Sequence, residues 1–402
     1  MSVIKPFKAL RPVADKAHLV SSVPYDVIYD SEVREIIGAN PLSLLRVTKP
    51  DAIVSDGDPL EYAKDALTSL IDSGILIDDA TPSLFVYRLA TADHKQTGIV
   101  ACCPVSEYET GKIKRHEKTR PDKVKDRTDH MIALRAQTGL IFLAFRNTDR
   151  IRNEIANEVT NEPLYDFTSD DGVRQTVWRI TQTDALTDAF AELETLYIAD
   201  GHHRAESAYR SSQVLKEQNP DHTGDEDYNY VMAGIFPSED LNILAYNRIV
   251  KDAGDLTDDE IIERIKENFV VIDADSSVPT DPNNFCMYLG GKWYLMNFAV
   301  NFLVSPGPIE SLDVSILQSY VLSPIFGIKD PRTDERIGFV GGARGTEELE
   351  KMVDSGEARL AFSLYPTSME DLFAVSDIDE IMPPKSTWFE PKLKDGLLIH
   401  RI

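Results

Sequence analysis

The sequence has 402 residues, of which 42% are hydrophobic and 27% charged, a composition that is typical of folded globular domains and argues against intrinsic disorder. Its 42 basic and 67 acidic side chains give a formal net charge of −25, which repels phosphate backbones and argues against unspecific nucleic-acid binding. No apolar run reaches the length of about eighteen residues that a membrane span needs, and the start lacks the apolar core of a signal peptide. We therefore expect a cytoplasmic protein.

Hydrophobic spacing predicts helices and strands that follow one another irregularly along the chain. The first clear helix covers 59–73, where apolar residues recur at helical spacing and Gly74 ends the pattern. A polar loop is predicted over 216–228, and Thr257 begins a second helix through a capping box with Glu260. Strands are predicted at the apolar runs 84–88, 98–105, 139–145, 231–236 and 359–364.

This mixture lacks strict β-α-β alternation, which favours an α+β fold. The best candidate for a domain break lies near 251–256, directly after the strand-like segment 243–249. The sequence therefore predicts an N-terminal α+β domain over 1–250 and a C-terminal α+β domain over 251–402.

Three cysteines are too few for a disulfide framework, and two of them are neighbours. Cys102 and Cys103 follow one another in a predicted strand, so their side chains point to opposite faces of the sheet. We expect both residues, and Cys286, to be reduced packing residues rather than metal ligands.

The first cluster with chemical potential is the basic segment 112–120. Seven of its nine side chains can be charged, and only Glu117 among them is acidic. Nearby cations such as His116 and Lys118 favour the ionised carboxylate, which could accept a proton from a hydroxyl group. A solvated basic turn is an equally good interpretation of this segment alone.

The second cluster is the junction of an apolar strand with a helix. Asp200 and Gly201 form a tight turn, and His202, His203 and Arg204 then occupy the first helical turn. Cations are unfavourable at this end of a helix, by roughly 0.3–1 kcal/mol each. A bound phosphate would compensate, since backbone N–H groups and basic side chains would converge on it. A helix with incidental histidines and a metal site are the alternatives.

The third cluster follows two prolines near the C-terminus. Lys385, Ser386 and Thr387 offer an ammonium, two hydroxyls and backbone amides, which together could cradle a phosphate. Without the glycines of a P-loop, an ordinary proline loop is the alternative. The glycine-rich segment 338–345 also invites a phosphate-loop interpretation, but we expect a flexible hairpin there.

Taken in order, these clusters resemble domain-of-unknown-function family 1015. The resemblance covers nearly the full length and includes residues 6–12, 24–28, 115–119, 199–204 and 383–392. The name of that family assigns no activity.

A more distant resemblance is to the free serine kinases, which are built on the ParB/sulfiredoxin fold. Those enzymes carry a His-Glu pair, an Asp-Gly-His-His-Arg turn and a Pro-Lys-Thr-Thr turn, which here correspond to 116–117, 200–204 and 384–387. The resemblance implies an α+β fold, with a ParB/sulfiredoxin-like mixed-sheet core and a C-terminal α/β domain that closes over the cleft. It also implies a phosphotransferase that moves a nucleotide phosphoryl group onto the hydroxyl of free L-serine, giving O-phosphoserine.

The same resemblance implies a role for each matching residue. Glu117 would be the base that accepts the serine proton, and Asp200 would lie close to the reacting hydroxyl or to the metal. Lys385, Ser386 and Thr387 would bind the substrate or the transferred phosphate. The nucleotide phosphates would be bound by His116, Lys118, Thr119, Gly201, His202, His203 and Arg204. Mg²⁺ would accompany the nucleotide phosphates, and the donor would be ATP on grounds of supply, with ADP as the alternative.

Two departures from the kinase pattern and one rival function remain. The gap between the His-Glu and Asp-Gly motifs is longer here, and Trp388 stands where the kinases have Arg. The rival is a non-catalytic nucleotide-binding or regulatory protein, although a mere binder has no need of Glu117 beside Asp200. Sulfiredoxin chemistry would need a cysteine where this chain has His202. The expected partners are a nucleotide and L-serine, with no nucleic acid and no membrane.

Overall fold

The chain folds as a mixture of helices and several β-sheets, which confirms the predicted α+β class. The computed structural model describes residues 2–299 and 306–402. The strands are β1 (Ala9–Pro12), β2 (Leu76–Asp78), β3 (Leu84–Ala90), β4 (Lys95–Pro104), β5 (Ile113–Lys114), β6 (Ala136–Gln137), β7 (Ile141–Phe145), β8 (Tyr165–Thr168), β9 (Arg174–Ile180), β10 (Leu196–Asp200), β11 (Tyr230–Pro237), β12 (Ile243–Leu244), β13 (Tyr246–Val250), β14 (Phe269–Asp273), β15 (Asn284–Leu289), β16 (Lys292–Phe298), β17 (Ile337–Gly341), β18 (Leu360–Leu364), β19 (Trp388–Phe389) and β20 (Ile399–Arg401). The α-helices are α1 (Ala17–Val20), α2 (Asp30–Ala39), α3 (Leu45–Thr48), α4 (Pro59–Asp72), α5 (Val105–Glu109), α6 (Pro121–Leu134), α7 (Asp149–Glu158), α8 (Asp184–Phe190), α9 (His202–Gln218), α10 (Asp258–Ile265), α11 (Asp313–Leu317), α12 (Ser323–Phe326), α13 (Glu347–Asp354) and α14 (Met369–Asp377).

The chain forms two compact units, each made of segments that are distant in sequence. Unit 1 consists of Met1–Arg115, Thr119–Leu241 and Pro391–Ile402, and unit 2 of His116–Lys118 and Asn242–Glu390. These units differ from the predicted domains in three ways. The division falls nine residues before the predicted one, the last twelve residues return to unit 1, and His116–Lys118 belongs to unit 2. The predicted division after residue 250 concerns independent folding and stays a prediction.

Unit 1 is built on a mixed eight-stranded sheet. Its strand order is β5-β10-β7-β11-β4-β3-β9-β8, and a smaller sheet has the order β2-β1-β20-β6. The β7–β11 and β5–β10 pairs are parallel, while the remaining pairs of the large sheet are antiparallel. Its central strands are apolar on both faces, and β7 is buried at every residue. This burial explains why the strands appear in the sequence as continuous apolar runs.

The main core of unit 1 lies on one face of the large sheet. Leu143, Ile198 and Ile235 come from adjacent strands and are fully buried in it. Phe145 of β7 meets Phe190 of α8 edge to face, with ring centroids 5.3 Å apart. The sheet and the helices that cover it therefore form a rigid base, from whose strand β10 the Asp200 turn emerges.

Unit 2 is built on an antiparallel sheet with the order β14-β16-β15-β18-β13-β17, and β12 pairs with β19 beside it. Ile249, Tyr288 and Ala361 pack with Leu349 of α13 in its core. Helix α10 begins at the predicted capping box, in which the Thr257 hydroxyl accepts from the Glu260 N–H group and the Glu260 carboxylate accepts in return.

Several predicted elements are confirmed, and two differ. Helix α4 (Pro59–Asp72) matches the predicted helix, and Gly74 has the left-handed φ of 70° that follows its end. The predicted loop at 216–228 starts later, since α9 continues to Gln218. The glycine-rich segment 338–345 is no separate hairpin, because most of its first half is strand β17, which pairs with β13. Cys102, Cys103 and Cys286 are free and buried, as predicted. Among residues 2–299 and 306–402, no helix has the length and apolarity to cross a membrane.

Candidate active site

The central residues of the first predicted cluster, His116–Lys118, meet the third cluster within unit 2. The backbone N–H of Met382 donates to the His116 carbonyl at 2.8 Å, which ties the His-Glu segment to the proline loop. The His116 ring nitrogen Nε2 lies 3.2 Å from the Thr387 hydroxyl, and the Lys385 N–H approaches a carboxylate oxygen of Glu117 at 3.5 Å. About 270 residues separate these partners in sequence. The base candidate and the predicted phosphate cradle therefore share one site.

The turn that carries Lys385 has an unusual backbone. Lys385 is exposed and adopts a φ of 58°, in the left-handed region that few residues other than glycine occupy. The Ser386 hydroxyl donates to the Pro383 carbonyl at 2.6 Å, and the Thr367 hydroxyl donates to the Ser386 carbonyl at 2.8 Å. Ser386 is buried, so its hydroxyl shapes the turn rather than facing outward. This geometry gives Ser386 a structural task that differs from its predicted substrate contact, which stays a prediction.

A buried arginine that sequence analysis missed holds this turn. Arg248 of β13 is only 4% exposed, and its Nη2 group donates to the carbonyls of Pro384 at 3.1 Å and Lys385 at 3.0 Å. Its Nη1 group donates to the Tyr246 carbonyl at 2.7 Å. The only signal for this residue in the sequence is that it is the one charged side chain in the strand-like segment 243–249.

The charge of Arg248 is not neutralised by a close partner. No carboxylate of the described residues lies within 4 Å of its guanidinium, and its partners are main-chain carbonyls and the ring of Phe339. Burial lowers the pKa of Arg248 to about 10, although Tyr246 and the Glu117 carboxylate act to raise it. A positive charge thus lies beneath the Lys385 turn, where it would stabilise an anion bound there.

Trp388, the residue that departs from the kinase pattern, anchors the far end of the turn. Its indole meets the Tyr246 ring edge to face, with ring centroids 5.3 Å apart, and its Nε1–H donates to Glu390 at 3.0 Å. The opposite wall is Gly341 of β17, where a Cβ atom would come within 2.5 Å of the indole. The glycine-rich segment therefore makes room for Trp388, which explains Gly341 without a phosphate.

The second cluster lies in unit 1, at the predicted junction of a strand with a helix. Strand β10 ends at Asp200, Gly201 turns with a φ of 87°, and α9 begins at His202. Asp200 accepts a hydrogen bond from the Gly201 N–H at 2.8 Å and another from the Lys392 ammonium at 2.6 Å. Lys392 was not predicted as a site residue, although it ends the segment 383–392 that carries the family resemblance.

The first helical turn is less cationic than the sequence suggests. The Nε2 atom of His203 accepts a hydrogen bond from the backbone N–H of Arg120 at 3.0 Å. Arg204 is buried and donates to both carboxylate oxygens of Asp395, at 2.8 and 3.0 Å. Its guanidinium is therefore engaged within unit 1, which differs from the expected phosphate contact. That contact stays a prediction, as does that of His202, which is also buried.

Lys118 and Thr119, the remaining predicted site residues, are neighbours in sequence that belong to different units. Lys118 is exposed and belongs to unit 2, while Thr119 is half-buried and belongs to unit 1.

Within 2–299 and 306–402, no group of three or more His, Cys, Asp or Glu residues is arranged to hold a metal ion. The carboxylate of Asp200, whose side chain is 39% exposed, fits Mg²⁺ in another way. Mg²⁺ is commonly bound by one or two carboxylates together with substrate phosphates and water.

Comparisons with known proteins give one family match and several distant structural similarities. The family model described as "Protein of unknown function (DUF1015)" matches residues 4–315. No curated protein is significantly similar to the chain.

Among solved structures, a free serine kinase in complex with AMP is 15% identical, with a TM-score of 0.37 over 74% of this chain and 91% of that one. SbnI with a C-terminal truncation, from Staphylococcus aureus, is 12% identical, with a TM-score of 0.41 over 75% and 87%. A conserved hypothetical protein from Pyrococcus furiosus is 15% identical, with a TM-score of 0.38 over 75% and 95%. Similarity at this distance assigns no activity to the chain.

Proposed function

The chain belongs to DUF1015, a family of proteins of unknown function, and we propose that it is a nucleotide-dependent phosphotransferase whose acceptor is free L-serine. ATP is the favoured donor, ADP is the alternative, and O-phosphoserine is the product. The observation that carries this proposal is the pairing of Glu117 with the Lys385 turn above the buried charge of Arg248. A proton acceptor and two cations in one small region suit the transfer of a phosphoryl group to a hydroxyl.

Glu117 is the proposed general base. Its carboxylate is partly buried and interacts electrostatically with Arg248. In the proposed reaction, the serine hydroxyl loses its proton to Glu117 while its oxygen forms a bond to the terminal phosphorus of the nucleotide. The bond from that phosphorus to the bridging oxygen breaks, and the shortened nucleotide leaves with the electron pair. A positioned base of this kind contributes typically about 10²- to 10⁴-fold to the rate.

Lys385, Thr387 and the turn amides are the proposed contacts of the phosphoryl group. Phosphoryl transfer spreads negative charge over three equatorial oxygens, so catalysis depends chiefly on charge stabilisation and positioning. The exposed Lys385, whose ammonium lies 5.5 Å from the centroid of the Tyr246 ring, provides one cation, and the buried Arg248 provides the other beneath the turn. We assign Ser386 the task of holding the turn through its bond to Pro383.

The start of helix α9 is the proposed binding element for the nucleotide phosphates. The first N–H groups of a helix point along its axis and favour anions, and α9, with seventeen residues, has a full macrodipole. Lys392 adds a cation beside Asp200. Asp200 would hold Mg²⁺ together with the phosphates, and the ion would supply neutralising charge when bound. Arg204 acts through Asp395 as a positioning residue of this helix.

The identity of the acceptor rests on the resemblance of the three motifs to those of the free serine kinases, as does the ParB/sulfiredoxin-like description of the mixed-sheet core. The direct test is to incubate the protein with L-serine, Mg²⁺ and either ATP or ADP, and to detect phosphoserine by mass spectrometry. Nucleotide-induced thermal stabilisation without any product from serine would instead support the non-catalytic binding protein.

Replacement of Glu117 by Gln tests the base. The change keeps the shape and removes the proton acceptor, so turnover should fall about 10²- to 10⁴-fold while nucleotide binding is retained. The matched control is Glu357→Gln in the same unit, because Glu357 is exposed and contacts no described residue through a hydrogen bond or ion pair. Near-normal turnover of Glu117→Gln would move the base elsewhere, with Asp200 as the first candidate.

A further inference from the structure

A cavity in unit 1, away from the three motifs, has the features of a binding site. Its volume is about 330 Å³, and it lies over β3, β9 and β8, the last three strands at one end of the large sheet. Strand β3 is four places from β10 in the sheet order. At a strand spacing of about 4.8 Å, this puts the cavity about 19 Å from the strand that carries Asp200. It therefore does not belong to the proposed catalytic site.

The chemistry of the sheet face changes abruptly at this cavity. Leu84 and Val86 of β3 point into the main core, as do Trp178 and Ile180 of β9. Further along the same face, the side chains become polar and charged, with Arg88 directly opposite Thr176 in the register of the strands. Side chains alternate along a strand, so these residues share the face of the core without being covered by it.

The lining of the cavity is positively charged in a strongly acidic protein. It contains Arg88, Lys95 and Arg174 but only one acid, Asp166, which leaves an excess of two positive charges. Arg174 donates two hydrogen bonds, of 2.6 and 2.7 Å, to the Asp166 carboxylate. In a chain with a net charge of −25, two cations left over in one cavity are unexpected.

Arg88 and Lys95 have no carboxylate partner among the described residues. Arg88 donates from Nε to the Thr97 hydroxyl at 3.0 Å, while no described residue accepts from its two Nη groups. Burial and the neighbouring Arg174 lower the pKa of Arg88 and together outweigh the more distant Asp240 carboxylate, which acts to raise it. The charged form of this side chain is thus opposed by its surroundings, and a bound anion would relieve both effects.

An aromatic wall completes the cavity. The guanidinium carbon of Arg88 lies 4.9 Å from the ring centroid of Trp178, whose Nε1–H donates to the Asn161 carbonyl at 3.0 Å. Val159 and Pro163 add apolar surface. Cavities of at least 300 Å³ with apolar walls and a few convergent polar groups are the usual form of small-molecule sites.

We propose that this cavity binds a small organic anion, whose carboxylate or phosphate group pairs with Arg88 and Lys95 and whose apolar body lies against Trp178. The site would take a metabolite-sized ligand and is distinct from the phosphotransferase residues.

The test uses phenyl phosphate as the probe and Trp178 as the reporter. The sequence contains three tryptophans, so the double variant Trp293→Phe, Trp388→Phe leaves Trp178 as the sole tryptophan, which is excited selectively above the absorption of tyrosine. Titration with phenyl phosphate should give a saturable fluorescence change below about 10 mM, whereas phenol should give none. Arg88→Gln should weaken binding about tenfold or more, because a charged hydrogen bond is lost.

Lys64→Gln is the matched control, since Lys64 is an exposed lysine of the same unit outside the cavity. Lys95→Gln provides a second variant at an exposed position, should Arg88→Gln fold poorly. The proposal is overturned if no saturable change occurs, if Arg88→Gln or Lys95→Gln binds as tightly as the parent, or if inorganic phosphate binds as tightly as phenyl phosphate. None of these readouts depends on nucleotide or serine, so they leave the kinase proposal untouched.

Discussion

The two units each bury an arginine near a predicted motif, and they satisfy its charge in opposite ways. Arg204 at the start of α9 forms a two-pronged ion pair with Asp395, which is itself only 2% exposed. Arg248 beneath the Lys385 turn has carbonyl partners and no carboxylate within 4 Å in the described chain. The pKa of Arg204 is raised well above its ordinary value despite the opposing effect of burial, because Asp395 and Asp26 are close. Burial lowers that of Arg248 to about 10.

This difference separates a structural cation from a functional one. An ion pair with two hydrogen bonds leaves little field for a ligand, whereas a guanidinium bonded only to neutral carbonyls keeps its full charge. A protein that buries a charge without a counter-ion gives up stability, and such sites are typical of regions with a task other than folding. We infer that Arg204 chiefly stabilises unit 1, and that in the proposed reaction Arg248 would act on an anion bound at the Lys385 turn.

The largest expected effect comes from removing the counter-ion of Arg204. Asp395→Asn leaves a buried guanidinium without its charge partner, which typically costs 3–5 kcal/mol of stability. Chemical denaturation, followed through Trp178 in the background without the other two tryptophans, reports the free energy of unfolding of unit 1. As a control, Asp122→Asn breaks the exposed Arg120–Asp122 pair and should change little. A stable Asp395→Asn protein would mean that Arg204 is not held by this pair.

The second expected effect is on catalysis. Arg248→Met removes the donors that hold the Pro384 and Lys385 carbonyls, so the turn shifts and turnover should fall about 10²-fold, the typical result of a misplacement of about 1 Å. The loss should appear in kcat more than in KM, and Arg248→Lys should recover part of it by restoring the charge. Arg264→Met, an exposed position in the same unit, is the control. An unchanged kcat in Arg248→Met would contradict the proposed role of Arg248 in the reaction.

The smallest expected effect is a pH dependence in the surroundings of Arg204. His130 is buried, and burial together with the positive charge of Arg127 lowers its pKa from 6.5 to about 4. Between about pH 6.5 and pH 4, His130 is therefore protonated in the unfolded chain and neutral in the folded chain. The stability that the neutral His130 contributes is fully present above pH 6.5 and is lost as the pH falls towards 4. Between pH 7 and pH 5 the loss amounts to about 2 kcal/mol.

His130→Gln keeps a donor for the Val47 carbonyl, which the His130 ring meets at 2.7 Å. The variant should lose about 2 kcal/mol less than the parent between pH 7 and pH 5. Replacement of the exposed His18 by Gln should leave the pH dependence of the parent. An unchanged acid sensitivity in His130→Gln would show that other groups control stability in this range.

Local signals in the sequence predicted the elements well, because they act over a few residues. The stripe that ends at Gly74 gave α4 to within one residue, and the capping box of Thr257 gave the start of α10. The glycine-rich segment was misjudged because its neighbour is distant: Gly341 faces Trp388, and no local pattern reveals this contact. Secondary-structure propensity depends on the residues of the segment itself, whereas the conformation that the segment adopts also depends on its partner across the sheet.

The motifs singled out segments that contact one another, such as those of Glu117 and Lys385, but not the residues that hold them. Glu117 and the Lys385 turn could be singled out as clusters of chemical groups, and their resemblance to the kinases linked them. Arg248 and Lys392 carry no motif, and each can be recognised only from its contacts. The ion pair of Arg204 was not predicted for the same reason, since its partner Asp395 is 191 residues away in sequence.

That separation also sets an order of events during synthesis. Ribosomes add about 5–20 residues per second, so Asp395 emerges about 10–40 s after Arg204. Strand β20, which lies between β1 and β6, is made later still. Until then the nascent unit 1 exposes an uncompensated guanidinium and an unfilled gap in its smaller sheet, although the residues of unit 2 are already complete. Because unit 1 includes residues 391–402, it can close only after the residues of unit 2 have been synthesised.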